Sequence, residues 1–163
     1  MTPHPFITQS LLIGILIAFL IASQGPEQWG NDNTGTDFTV HLTITDGTST
    51  LDLLRLGVRE RDFSIAAPPA PPPGALHAWF EGPGTGYFEL FKTRSVESKK
   101  WVLNYTEGST GNLTLSWDDD NLPAGLSLRD IEGTVLVNMN ESSFFNFLVS
   151  EHPVLEIWYE TGF

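Results

Sequence analysis

Residues 38–45 read FTVHLTIT, and this octapeptide decides the fold class. Large apolar side chains occupy every even position, and threonine or histidine occupies every odd one. A period of two with β-branched residues is typical of a strand that buries one face. Asp46-Gly47 follows directly, and this pair favours a tight hairpin turn with positive φ angles.

The return strand of this hairpin is predicted over residues 50–58. Its apolar phase slips by one residue between Leu53 and Leu54, which indicates a β-bulge. Residues 59–62, RERD, then form a charge cluster that we expect to be solvated.

Residues 66–74, AAPPAPPPG, are too rich in proline for a helix or a central strand. We expect a stiff polyproline II crossover between strands. The alternative is a ligand for a proline-recognition module. Strands resume directly after the prolines, which favours the crossover.

Eight further short segments have strand character, and Gly-, Pro-, Asn- and Asp-rich turns such as GPGTG (82–86) separate them. Together with the hairpin they predict an all-β sandwich of about eight to ten short strands. The eight segments are 76–81, 87–92, 101–106, 113–117, 126–129, 134–139, 144–149 and 154–159.

Four of these patterns occur together in a known type of domain: TITDG (43–47), the proline run ending at Gly74, LTLSWD (113–118) and LPAGLSLRD (122–130). Residues 38–159 thus resemble an immunoglobulin- or fibronectin-type β-sandwich of extracytoplasmic bacterial proteins. The resemblance implies a fold and carries no catalytic residues. Such modules usually sit in large secreted proteins, whereas here one copy follows a membrane stretch.

That membrane stretch is residues 6–22, FITQSLLIGILIAFLIA, which contain no charged residue. At about 1.5 Å per residue they make a helix of roughly 25 Å, just short of the ~30 Å hydrocarbon core. A cleaved signal peptide is the alternative, but MTPHP lacks the basic residues that signal peptides carry. We expect one retained transmembrane helix, anchored by Phe6, Leu11, Leu12, Ile13, Ile15, Leu16, Ile17, Phe19, Leu20 and Ile21.

Charge near the anchor sets the predicted orientation. Neither side carries Lys or Arg until Arg55, and the acidic residues all follow the helix, beginning with Glu27. We expect a cytoplasmic N-terminus in a bacterial inner membrane and a periplasmic body. The predicted parts are an anchor over 1–25, a linker over 26–37 and the β-sandwich over 38–163.

Composition limits the partners. The net charge is −12, from 20 acidic and 8 basic residues, which argues against nucleic acid as a partner. The absence of cysteine excludes disulfides and thiolate metal sites. The expected partners are the lipid bilayer and other integral membrane subunits of a larger complex.

No residue pattern predicts catalysis or a cofactor. The histidines, His4, His41, His77 and His152, have no partner at metal-ligand spacing. His41 and His77 fall on predicted strands and are expected at the surface. We therefore expect no enzyme activity, no cofactor and no metal.

Two charged clusters are the strongest candidates for a binding site in this sequence. Asp118, Asp119 and Asp120 suit calcium by ligand type, but a solvated turn is favoured because the spacing does not match a calcium loop. The Lys/Arg patch of Lys92, Arg94, Lys99 and Lys100 is expected at one hairpin end. It could meet lipid headgroups, an acidic neighbour or only solvent.

Aromatic residues near the ends of the chain are candidate interface residues: Trp29, Trp158 and Phe163. Trp29 suits the headgroup layer, and burial against the body is the equal alternative. The last predicted strand is expected to bury Leu155 and Ile157 in the core.

Three functions from different classes follow. The first is a non-catalytic accessory subunit whose helix packs in a membrane complex while the sandwich braces its periplasmic face; photosynthetic reaction-centre–antenna and respiratory complexes carry small subunits of this shape. The second is a tethered adhesion or ligand-binding module with an exposed platform from Trp79, Trp101 or Trp117. The third, an enzyme with a scattered site, has no residue to propose it.

Overall fold

The computed structural model describes residues 36–161 apart from 109 and 119. Within these ranges the chain is all-β, as predicted, and it contains eleven strands and no helix. In chain order the strands are β1 (Phe38–Thr45), β2 (Thr50–Arg59), β3 (Phe63–Ala66), β4 (Ala78–Gly82), β5 (Thr85–Thr93), β6 (Lys99–Tyr105), β7 (Asn112–Trp117), β8 (Leu126–Arg129), β9 (Val135–Asn138), β10 (Phe144–Leu148) and β11 (Val154–Tyr159).

The ten predicted strands are all present, each within two residues of its predicted ends. The prediction of eight to ten strands nevertheless misses one, β3. The four residues of β3 directly follow the charged residues 59–62, and the sequence pattern predicts no strand there. The proline-rich residues 67–74 lie in the connection from β3 to β4.

The strands form one sheet in the order β10-β7-β1-β2-β5-β4-β6-β11-β8-β9, which curls until it is nearly closed. Strand β5 connects the two halves of this order. Its residues 85–87 pair with β4, whereas its residues 89–93 pair with β2 in parallel. Residues 89–91 also pair with β3 on the opposite edge, so β3 lies outside the main path.

The β1–β2 hairpin forms as predicted, with a longer turn. Asp46 Oδ1 accepts hydrogen bonds from the backbone N–H groups of Thr48 and Ser49, at 2.9 and 2.7 Å, inside a loop over residues 46–49. Only Gly47 of the Asp-Gly pair has a positive φ, of 85°. The predicted bulge in β2 is confirmed. Leu42 of β1 pairs with Leu54, whereas Ile44, two residues later, pairs with Leu51, so β2 contains one extra residue between these pairs.

The β4–β5 hairpin turns on Pro83 and Gly84, where the glycine-rich residues were predicted to form a turn. Gly84 has a φ of 80°, the conformation that a type II turn requires at its second central position.

The inner face of the curled sheet holds one hydrophobic core. Alternation along β1 buries Val40, Leu42 and Ile44 completely while Thr39 and His41 stay exposed. Burial of each such aliphatic side chain stabilises the fold by roughly 1.5–3 kcal/mol. Later strands add the fully buried Phe80, Trp101, Leu103, Leu115, Leu128, Leu155 and Ile157, the last two as predicted.

Two buried tryptophans place their indole N–H groups on backbone carbonyls. Trp101 Nε1 donates to Leu90 O at 2.8 Å, and Trp117 Nε1 donates to Met139 O at 3.0 Å. The second bond joins β7 to the segment after β9, so it ties together strands from the two ends of the sheet order.

Candidate interaction surfaces

Strand β3 is an exposed edge of the sheet. All four of its residues are exposed, and within the described part of the chain it pairs only with β5. Phe63 and Ile65 are 43% and 46% exposed. An unpaired edge with apolar side chains is a template for a strand from another chain.

The side of β5 next to β3 carries a groove of about 580 Å³. Phe63, Tyr87 and Leu90 contribute its apolar wall, and Lys92 and Lys99 contribute positive charge. Asp62 and Glu81 also line it. The groove therefore offers lysines, carboxylates and aromatic surface within one concave region.

Burial, followed by the charge of Lys99, lowers the pKa of Lys92. Lys92 Nζ lies 5.7 Å from the Trp101 ring centroid, a cation–π distance. Asp62 is held differently: its Oδ1 accepts hydrogen bonds from Thr93 N at 2.5 Å and Thr93 Oγ1 at 2.7 Å. These hydrogen bonds lower the pKa of Asp62, so it is a carboxylate at neutral pH.

The four predicted basic residues Lys92, Arg94, Lys99 and Lys100 do lie at one end of the sheet, but that end is not a hairpin. Strands β5 and β6 are not hydrogen-bonded neighbours, because β4 lies between them in the sheet order. The Lys residues approach each other because the connection over residues 94–98 returns to the same end.

A smaller depression, of about 320 Å³, lies between the proline segment and β4. Pro68, Pro69, His77, Trp79 and Gly86 line it. The His77 and Trp79 rings are 5.1 Å apart and tilted by 31°. A half-buried tryptophan beside a histidine offers a stacking surface with a polar atom next to it.

Two predictions about these side chains are wrong. His77 is not on the surface: it is 7% exposed and precedes β4, and burial lowers its pKa. Of the three tryptophans proposed as a platform, Trp101 and Trp117 are 0% and 5% exposed, because they point into the core. Only Trp79 has accessible ring surface.

Trp158 lies on the outer face of β11, between two buried neighbours. Its Nε1 donates to Glu156 Oε2 at 2.8 Å, and Lys100 Nζ lies 3.0 Å from Glu156 Oε1. Cations of Lys100 and Arg129 lie 5.4 and 5.0 Å from the ring centroid. Trp158 is thus held in a charged network, and its role as an interface residue stays a prediction.

The acidic turn is described at two of its three aspartates, because Asp119 lies outside the described residues. Asp118 is exposed, and its Oδ1 accepts a hydrogen bond from Asp120 N at 3.4 Å. Across the part of the chain that the structure describes, no three His, Asp or Glu side chains come close enough together to hold a metal ion.

The predicted membrane anchor lies outside the described residues, as do the interface candidates Trp29 and Phe163. Among residues 36–161, without 109 and 119, no helix is long and apolar enough to cross a membrane. The anchor, its orientation and the linker therefore stay predictions.

Sequence reasoning missed β3 and its groove. The alternation of FSIA (63–66) was the available signal, but four residues are too few to separate a strand from a loop. Comparison with protein-family models, characterised proteins and solved structures finds no match to this chain.

Proposed function

We propose that this chain is a non-catalytic accessory subunit of a bacterial membrane protein complex, with residues 6–22 in the inner membrane and the β-domain on the periplasmic side. Photosynthetic and respiratory complexes are the candidate hosts, by the analogy of subunit shape. The observation that carries the proposal is the exposed edge of β3. Phe63 and Ile65 there offer apolar surface beside backbone groups that pair with no described strand other than β5.

The fold proposed for the domain is an immunoglobulin-type sandwich, in which β10-β7-β1-β2 and β4-β6-β11-β8-β9 are the two layers. The pairing of β5 supports this arrangement, because β5 joins β4 by its first residues and β2 by its last. A strand that passes from one layer to the other forms the corner of many sandwiches.

Co-purification tests the accessory role. The chain is extracted from native membranes with a gentle detergent, the complex is separated by size, and co-migrating proteins are identified by mass spectrometry. Stoichiometric integral membrane subunits are expected. If the chain migrates alone under conditions that keep other complexes intact, the accessory role is wrong.

Two variants test whether β3 makes the contact with the partner subunit. Phe63→Glu with Ile65→Lys places charges on the exposed edge, and we expect the partner to be lost while the thermal unfolding temperature stays near that of the parent. Ile131→Glu is the matched control, because Ile131 is 65% exposed in the turn between β8 and β9, away from β3. Equal loss in both variants would contradict a specific role for β3.

The anchor is tested separately. Ile15→Lys with Ile17→Lys should abolish membrane integration, because each charge costs about 3 kcal/mol near the middle of a helix in the bilayer. If the variant still resists carbonate extraction from membranes, residues 6–22 do not span the bilayer.

A membrane-tethered ligand-binding module is the second candidate, and the depression at Trp79 favours it. The half-buried Trp79 ring, with His77 beside it and Pro68 across from it, suits stacking against a sugar ring or a proline. Tryptophan fluorescence titration with glycans and proline-rich peptides tests this candidate. Trp79→Ala should remove the signal; saturable binding that survives this change would place the ligand elsewhere.

A further inference from the structure

Six of the chain's eight Lys and Arg residues lie near one end of the domain, and we call this set the cationic rim. The rim follows from the register of the strands, because the end of β2, the end of β5 and the start of β6 all lie there. Its members are Arg59, Arg61, Lys92, Arg94, Lys99 and Lys100.

The rim is also the end at which the chain enters the domain. Phe38, the first residue of β1, pairs with Val58, and Val58 pairs with Lys92. Asp37 is ion-paired with Arg94 at 2.7 Å. Whatever precedes residue 36 therefore reaches the domain at the cationic rim.

Four cations of the rim form no salt bridge among the described residues, although the charge of Asp62 acts on the last two of them: Arg59, Arg61, Lys92 and Lys99. Arg59 lies over the Phe91 ring at 3.6 Å, and Lys99 Nζ donates to Ser95 Oγ at 2.5 Å. The two basic residues outside the rim, Arg55 and Arg129, are both ion-paired.

The rim also contains carboxylates, and two of them are already engaged. Asp37 is paired with Arg94, and Asp62 accepts hydrogen bonds from Thr93. Glu60 and Glu97 are exposed there as well, and the acidic turn with Asp118 and Asp120 follows β7 at the same end, where Asp118 N donates to His41 O.

The opposite end of the domain contains only acidic charge. Its loops over residues 46–49, 106–111, 130–134 and 149–153 contain five carboxylates and no Lys or Arg. Strands of eight to ten residues, at about 3.3 Å each, separate the two ends by roughly 25–30 Å. In a chain of net charge −12, the entry end is thus the end that carries most of the basic residues.

The chain between the apolar stretch and β1 is short, because fifteen residues, 23–37, separate them. Fully extended, fifteen residues span at most about 50 Å. Since β1 begins at the rim, this length is counted from the rim and not from the acidic end.

We propose that the cationic rim binds the phosphates of anionic lipids in the bilayer that holds the chain's own apolar stretch. This inference rests on the proposed membrane anchor. Arg59, Arg61, Lys92 and Lys99 supply the charge, and the groove beside Lys92 and Lys99 receives a headgroup. The acidic end then points away from the bilayer, and β3, whose Phe63 pairs with Phe91 beside Lys92, lies next to the headgroup site.

The test uses the full chain in nanodiscs of phosphatidylcholine with or without phosphatidylglycerol. The chain has no cysteine, so one label site can be introduced without removing others. Val96→Cys labels the rim and Ile131→Cys labels the acidic end, and both positions are 65% exposed in the parent. A spin label at each reports its distance from the lipid.

We expect the Val96 label to contact headgroups in nanodiscs with phosphatidylglycerol, and the Ile131 label to stay in water in both. High salt should release the contact. Equal lipid contact at the two labels, or no dependence on phosphatidylglycerol, would overturn the proposal.

Charge variants give a matched comparison. Arg61→Gln with Lys99→Gln lowers the net charge by two at the rim, and most of the lipid contact should be lost. Ile131→Glu with Ser150→Glu lowers it equally at the acidic end and should leave the contact in place. In both charge variants the lipid contact is measured with the spin label at Val96→Cys.

If the anchor proposal is wrong, the nanodisc experiment gives a different result. If the chain does not enter nanodiscs at all, the proposed membrane function fails before the rim is tested. If the chain enters but the Val96 label contacts a co-purified protein and not lipid, the rim binds an acidic partner instead, and the lipid proposal is wrong.

Discussion

The rings of Phe38 and Tyr159 meet edge to face, with centroids 4.9 Å apart. Phe38 begins the first strand and Tyr159 ends the last, and β1 and β11 are not neighbours in the sheet order. Their contact therefore exists only because the sheet curls around one core. Trp101 joins them, with its ring 6.3 Å from that of Phe38.

A double-mutant cycle with Phe38→Leu and Tyr159→Leu measures this contact. We expect a coupling free energy of about 0.5–1.5 kcal/mol, because edge-to-face rings attract beyond the area they bury. Urea unfolding of the four proteins gives the value. Phe38→Leu with Phe147→Leu is the control. Phe147 pairs with Leu113, at the end of the strands opposite to Phe38, so the two effects should add. Additivity in the first pair would contradict a direct contact.

Gly57 is required by the close approach of β1 and β2. A Cβ at Gly57 would lie 2.1 Å from the backbone oxygen of Phe38 and 3.1 Å from the Phe91 ring. Gly57→Ala must separate the two strands, and we expect a loss of roughly 2–3 kcal/mol in the free energy of unfolding.

Gly133→Ala is the matched control for Gly57. Gly133 has a φ of 85° and open space around it, so only backbone strain of roughly 1–2 kcal/mol is expected. Denaturant unfolding compares the two variants. If Gly57→Ala were the less destabilising change, the packing of β1 on β2 would be looser than described.

Lys100 neutralises a buried carboxylate, since Glu156 is only 9% exposed. Lys100→Met should cost about 1–3 kcal/mol, because Glu156 keeps its desolvation penalty and loses a charged partner. A second change, Glu156→Leu, should recover part of that loss. Arg94→Met breaks the exposed pair with Asp37 and is expected to cost only about 0–1 kcal/mol. If Lys100→Met and Arg94→Met lowered the free energy of unfolding equally, burial of Glu156 would not determine the strength of its ion pair.

His77 makes stability depend on pH in a defined direction. Burial lowers its pKa in the folded chain, so below the ordinary histidine value the unfolded chain binds more protons. The contribution of His77 is present at neutral pH and is lost as the pH falls through the histidine range. Melting temperatures between pH 7.5 and pH 5 should therefore decline less for His77→Gln than for the parent.

His41→Gln is the control for that comparison, because His41 is exposed on β1. If the two glutamine variants have the same profile, burial of His77 does not contribute to the pH dependence.

The local sequence pattern was sufficient to predict most of the strands. Residues 38–45 and 126–129 were predicted with their observed ends, since alternation and turn residues are properties of neighbouring positions. The bulge in β2 was also visible, as a shift of apolar phase next to Leu53. Strand β3 was not, because its stability comes from pairing with β5 and not from its own four residues.

The candidate surfaces were less predictable. The sequence grouped Lys92, Arg94, Lys99 and Lys100 because they are close along the chain. It could not add Arg59 and Arg61, which reach the same end through the parallel pairing of β2 with β5. Nor could it separate the accessible Trp79 from the buried Trp101, because both lie in alternating strands.

By itself, the sequence determined an all-β domain, its first hairpin, its acidic charge and the apolar stretch over residues 6–22. These depend on composition and on spacing over a few residues. Only the tertiary structure decided that β5 joins β2 and β4, that β3 is an open edge, and that His77 is buried. Those features depend on contacts between residues far apart in the chain, and the shared core selects one such set of contacts.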